Sequence, residues 1–276
     1  MRTTKKGKFF LYLILTLGAL LILFPMYITI TTTFKTPAES AVSFFTLPKS
    51  LYLGNYATVL QDEKLYYAYG NTILITVVSL LGEMLILPPM GFALSRGMKQ
   101  NRFFKGLYFF FLLGIFLPWQ VRMMPVVKLM GWLGLLSPLG ITLLYVAHAT
   151  CESMFLYVGY LATVSDSIEE AAYIDGAGDL RVYWSIILPL SKSAIATVAI
   201  IGFIGNWNSY MWPKVVATKE SLRTVQTGLR MLMQSDFGDD WGSIMAAATL
   251  ITMPMVLFFV CLQRYFVQGI TKVGLK

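Results

Sequence analysis

FFLYLILTLGALLILFPMYITITT, residues 9–32, runs for 24 positions without a charged side chain. A membrane-spanning helix needs about 20 consecutive apolar residues, so this stretch can cross a bilayer by itself. Arg2, Lys5, Lys6 and Lys8 precede it, as basic residues precede the core of a signal peptide. The apolar core is too long for one, and no small-residue cleavage pattern ends it; Phe34-Lys35-Thr36-Pro37 follows. It reads as an uncleaved first span, with Pro25 a point where it can kink. The composition agrees. Of 276 residues, 57% are hydrophobic and 13% charged, and the mean hydropathy is +0.66. A soluble domain carries about 25% charged residues. A soluble enzyme is therefore excluded, and so is a disordered chain, which needs the opposite composition. With 22 Gly, 11 Pro and 2 Cys, collagen-like and disulfide-framework classes fail as well.

Working outward, five more apolar runs follow: 71–94, 104–124, 141–161, 194–212 and 241–262. Pro88-Pro89 interrupts the second. The third closes near Pro118, Trp119 and Arg122. The fifth closes on Trp207, Tyr210 and Trp212, in the manner of an interfacial aromatic belt. The expectation is an all-α integral membrane helical bundle of six transmembrane helices, with residues 1–276 as a single transmembrane domain. Six spans put both termini on one side, and that side holds 13 of the 22 Lys and Arg residues. Four of the 13, Arg96, Lys99, Arg102 and Lys105, crowd one tight connection. The positive-inside rule then places both termini in the cytoplasm. The net charge of +8 is accounted for by these loops, and no nucleic-acid partner is needed. Cys151 and Cys261 fall inside spans and read as packing residues; no metal site is expected.

The polar connection 163–191 has a pattern of its own. Ser167 and Glu170 stand at capping-box spacing, and Asp166, Glu169 and Glu170 suit a helix N-terminus. Gly176 or Gly178 can end that helix in a left-handed conformation. Asp179 can cap a second short helix, Leu180 to Leu188, that stops at Pro189. A helix this short is unstable alone in water and must pack on something. Ile168, Ala171 and Ala172 share one face. It either docks in a groove of a partner protein or lies on the membrane surface or its own subunit.

Glu170-Ala171-Ala172, three residues, Gly176, nine residues, Ile186, one residue, Leu188-Pro189 resembles the EAA loop of ABC importer membrane subunits. Gly91-Phe92-Ala93-Leu94-Ser95-Arg96, Trp207-Asn208, Trp212-Pro213, Asp240-Trp241-Gly242 and the tail from Arg264 resemble the carbohydrate (maltose-type) branch. The chain is most similar in layout to the smaller permease of such systems. The resemblance implies that 163–191 is a cytoplasmic coupling loop. Glu170 would be the acidic contact to an ATPase and Gly176 the turn, with Ala171, Ala172 and Asp175 in the same segment. It also implies two ATPase subunits, which would hold ATP and Mg, a second homologous permease, and an extracytoplasmic binding protein. The substrate would be a sugar or oligosaccharide, moved by alternating access in a prokaryotic plasma membrane. This chain has no G-x-x-x-x-G-K-[ST] phosphate loop, needs no cofactor of its own, and has no catalytic residues.

Charged residues at membrane depth need a wet or paired setting. Glu83, His148 and Glu152 are such residues, and His148 and Glu152 stand one helical turn apart. They read as a polar stripe along the substrate pathway, as packing hydrogen bonds, or as a proton relay. Asn206, Trp207, Asn208 and Tyr210 offer amides for sugar hydroxyls and rings for sugar faces; the alternative is a plain interfacial belt. In the loop 213–240, Gln226, Arg230, Gln234 and Asp236 are candidate binding-protein contacts or solvated loop residues. Rival functions are an ion-coupled secondary transporter, an ABC permease for a non-sugar solute, and a non-transporting scaffold.

Overall fold

The computed structural model describes residues 5–217, 219, 222–233 and 240–273. In chain order the helices are α1 (Lys5–Thr32), α2 (Pro37–Val42), α3 (Gly54–Gln61), α4 (Glu63–Gln100), α5 (Arg102–Phe116), α6 (Trp119–Trp132) and α7 (Pro138–Leu161). Next come α8 (Asp166–Ile174), α9 (Asp179–Val182), a π-helical turn (Tyr183–Ile187) and α10 (Leu188–Leu190). The last are α11 (Lys192–Trp207), α12 (Met211–Val216), α13 (Val225–Leu232) and α14 (Trp241–Val273). No strand occurs among the described residues. The protein is an all-α membrane bundle. α1, α4, α7 and the Trp241–Arg264 part of α14 are each long and apolar enough to cross a bilayer. Two bent pairs bring the number to six when each counts as one span: α5 with α6, bent by 104°, and Asp179–Leu190 with α11, bent by 72°.

The chain packs as two compact units, Met1–Tyr66 with Gly228–Pro254, and Tyr67–Thr227 with Met255–Lys276. In the first, α1 keeps its apolar side chains exposed from Phe9 to Ile30, a surface suited to lipid. The segment beyond α1 is tied down by polar groups. Fully buried Lys35 donates from Nζ to the carbonyls of Ser43 (2.9 Å) and Phe44 (3.0 Å). Buried Asn55 donates from Nδ2 to the carbonyls of Thr33 and Lys35, both at 2.8 Å. Burial of these groups is tolerable because each polar atom named has a partner. Thr36 and Glu39 form a complete capping box on α2.

The second unit is built on α7. Met154, Tyr157, Val158 and Leu161 pack with Leu87 and Leu94 of α4, with Val182 and Ile187, and with Val198 of α11. Two α7 tyrosines fix the corner of the second bent pair. Tyr157 Oη lies 3.0 Å from Ser191 Oγ, and Tyr160 donates to the Leu190 carbonyl at 2.7 Å. Gly91 lets α4 approach: a Cβ there would fall 2.5 Å from Cδ1 of the fully buried Tyr157. Gly91→Ala is expected to destabilise the purified protein by about 1–3 kcal/mol through overpacking. The measurement is a shift in thermal unfolding; an unchanged midpoint would show that α4 and α7 have slack there.

Several local expectations need correction. Pro88-Pro89 does not interrupt the second run: α4 continues through both prolines from Glu63 to Gln100. The run 194–212 is not one helix, since α11 ends at Trp207 and α12 begins at Met211. The run 104–124 is not one straight helix. α5 ends at Phe116, and Pro118, which cannot supply a helical N–H, restarts the chain as the N-cap of α6 in a new direction. In the 163–191 segment the helix begins at Asp166 with Ser165 as N-cap, so Ser167 is already inside it and no Ser167–Glu170 capping box forms. The following helix does not stop at Pro189. It runs to Leu190, because the π-turn at 183–187 widens the helix just before the ring, relieving the clash a proline makes with the preceding turn.

Candidate functional site

A chamber of about 390 Å³ opens in the second unit between α6, α7, α11 and α12. α7 supplies Tyr145, His148, Glu152 and Ser153 to its wall, and α11 supplies Gly202, Gly205 and Asn206. Asn208, Ser209, Tyr210 and Trp212 follow from the α11–α12 corner, and Trp119 from α6. The spacing of Tyr145, His148 and Glu152 is that of one helix face. His148 Nε2 stands 3.2 Å from Glu152 Oε1, and half of the Glu152 side-chain surface (50%) is open. The Nδ2 of Asn206 is buried and finds no partner among the described residues, although Asn206 lines the chamber. Lys214 Nζ sits 5.3 Å from the centroid of the Tyr210 ring, at cation–π distance.

Five sequence candidates, Asn206, Asn208, Tyr210, His148 and Glu152, thus meet at one cavity. Two do not line it. Trp207 is buried (2% exposed) and stacks on Phe203 at 5.6 Å, with Tyr69 edge-on at 6.4 Å. Glu83 is fully buried behind the wall. Its Oε1 accepts from Ser153 Oγ at 2.8 Å, and Oε2 has no partner among the described residues. Glu83 is held against α11 where Gly202 has no side chain; a Cβ at 202 would collide with the carboxyl. Gln226 reaches the chamber's edge by donating from Nε2 to Asn208 Oδ1 at 3.2 Å. Arg230 is exposed one turn further along α13. Gln234 and Asp236 lie outside the described residues. Trp119, Trp212, Tyr145 and Ser153 were not singled out by sequence for this cavity. For the two tryptophans, aromatic residues at the ends of apolar runs were the only signal.

The second feature is α8. Glu169 is buried (5% exposed) and Glu170 exposed, so adjacent carboxylates face opposite ways. Glu169 takes a bidentate contact from Arg96 of α4: Nε donates to Oε2 at 2.8 Å and Nη2 to Oε1. Lys99, one turn on, donates to both carboxylate oxygens of Asp166. That ammonium holds the Asp166 carboxyl below its usual range. Ala172 packs on the core of the unit, while Ala171, Ile174, Leu180 and Trp184 stay exposed. Gly176 turns the chain after α8 at φ +79°, a conformation that disfavours a side chain, and Ala177 N–H closes the turn on the Ala172 carbonyl at 2.9 Å. Tyr173 Oη donates to Asp179 Oδ1 at 2.9 Å, bracing α8 against α9. Gly178 caps α9, with Asp179 its first residue.

Residues 89–272 match the family described as binding-protein-dependent transport system inner membrane component. The chain is 33% identical over 273 residues to the multiple sugar-binding transport system permease protein MsmG of Streptococcus mutans, covering 99% of this chain and 98% of that one. It is likewise 33% identical over 276 residues to the sn-glycerol-3-phosphate transport system permease protein UgpE of Yersinia pestis, with 95% of each covered. Among solved structures it is similar to a chain of a bacterial ABC transporter that imports the acidic polysaccharide alginate. That match has a TM-score of 0.81 and 25% identity, over 96% of this chain and 99% of that one. The chain belongs to the family of inner membrane components of binding-protein-dependent transport systems.

Proposed function

We propose that this chain forms half of the translocation pathway of an ATP-binding-cassette importer for a sugar or oligosaccharide, working by alternating access. The observation that carries the reading is the pairing of an aromatic- and amide-lined chamber with an α8 whose Glu170 is exposed, both in one compact unit. Tyr210, Trp119 and Trp212 offer faces for sugar rings, and Asn206 and Asn208 offer amides for hydroxyls. The second half of the pathway is a homologous permease.

Below it, an ATPase receives α8 on each side. Glu170, Ala171 and Ile174 form the outward contact, Asp175 and Gly176 shape its end, and Glu169 anchors it. The ATPases bind ATP and Mg and carry out hydrolysis. Closure of their dimer shifts the inward–outward equilibrium only through contacts that differ between the two states. The basic cluster Arg96–Lys105 supports a cytoplasmic position for α8 and both termini. An extracytoplasmic sugar-binding protein delivers the substrate, and Gln226 and Arg230 are suited to meet it. The His148–Glu152 pair belongs to the pathway wall, which a neutral solute does not require as an ion relay.

Asn206→Ala tests the chamber. ATP-driven uptake of the bound sugar by the reconstituted complex is expected to fall by about tenfold, the scale of one or two polar contacts, with assembly unchanged. Normal uptake would return Asn206 to helix packing. Uptake without any ATPase would favour a secondary transporter instead.

A further inference from the structure

We infer that the chamber selects neutral saccharides over acidic ones, with Glu152 as the residue that sets this preference. The inference rests on the sugar reading above and narrows it to one charge class. Among the described residues the chamber wall contains no lysine or arginine, and Glu152 is its acidic residue. Its side chain is half open, and its neighbour at 3.2 Å is His148. Two cations stand close without lining the cavity: Arg122, which acts electrostatically on His148, and Lys214, over the ring of Tyr210.

A neutral sugar suits this wall. Its hydroxyl hydrogens are donors, and a carboxylate offers acceptor sites only. Such charge-assisted hydrogen bonds are the stronger kind. The unpartnered Nδ2 of Asn206 supplies a donor for a hydroxyl oxygen. A uronate adds acceptors where the wall already presents a carboxylate. Beside a protein wall like charges repel more strongly than in bulk water, and a repulsive element is an efficient way to reject a related ligand. The solved relative that imports an acidic polysaccharide shows that the same fold also serves the opposite charge class. The fold alone therefore does not set the charge class, and a wall side chain such as Glu152 can.

The test uses the complete purified transporter without binding protein, titrated by tryptophan fluorescence. The probes are neutral trisaccharides of glucose, galactose and arabinose, and the trisaccharide of galacturonic acid. At least one neutral probe should bind saturably. The uronate should bind at least about tenfold more weakly, and Glu152→Gln should bring the two within about threefold. Uronate binding as tight as the best neutral probe, or a ratio that Glu152→Gln leaves unmoved, overturns the inference while the sugar reading stands. No binding by any saccharide of either charge overturns both.

Discussion

Glu169→Ala is expected to cost the protein about 3 kcal/mol, whereas Glu170→Lys, one residue later, should leave the fold intact and abolish ATP-driven uptake. The difference follows from where the two carboxylates point. Glu169 is buried against Arg96, whose side chain is itself only 15% exposed. Removing one partner of such a pair leaves the other as an uncompensated charge. Asp166, 4.0 Å from Arg96 Nη1 and already engaged by Lys99, is a poor substitute. Hydrogen exchange across α8 and thermal unfolding of the purified protein would register the loss. Glu170 is exposed. Its reversal should be read in ATPase co-purification and in transport. Equal loss of stability in both variants would mean that α8 is held by its whole surface, and the division into anchor and contact would fail.

Gly202→Ala is expected to cut uptake by about tenfold, out of proportion to one methyl group. A Cβ at 202 collides with the Glu83 carboxyl, which is fully buried and held by Ser153. Either Glu83 leaves Ser153, or α11 moves away from α4. Ser153 and Gly202 both line the chamber, so either response reshapes its wall. Overpacking of this kind costs about 1–3 kcal/mol. Glu83→Ala vacates the space, so the double variant should be less damaged than the sum of the singles, by about 1 kcal/mol or more. Strict additivity in unfolding and in transport would show that the Glu83 carboxyl and position 202 do not press on each other. A single Gly202→Ala indistinguishable from the parent would show the same.

Glu83 also illustrates what the sequence can and cannot convey. A carboxylate in an apolar run signals a special setting, and the signal was real. Its partner, Ser153, is 70 residues away, and only the packing decides that Glu83 supports the chamber rather than lining it. Trp207 is the converse case. Beside Asn206 and Asn208 it reads as part of a sugar platform, yet Phe203 and Tyr69 take both its face and its edge. The apolar runs behind α1, α4, α7 and α14 were legible because length and hydropathy suffice for a membrane helix. The 104° turn at Pro118 was not. Apolar residues continue on both sides of it, and hydropathy carries no direction. The glycine turn at Gly176 was legible, because φ > 0 leaves few residue choices. The Arg96–Glu169 anchor, spanning 73 positions, left no mark that spacing could reveal.

On the proposed reading this chain works as one half of an ATP-driven pathway, with α8 as its coupling to the ATPase. The most direct measurement is affinity purification of the chain from its native membrane, followed by mass spectrometry of what accompanies it and reconstitution into liposomes. A second permease of the same family and a P-loop ATPase should come with it, and sugar should enter the liposomes only with ATP. A chain that purified alone and moved solute without ATP would contradict the account.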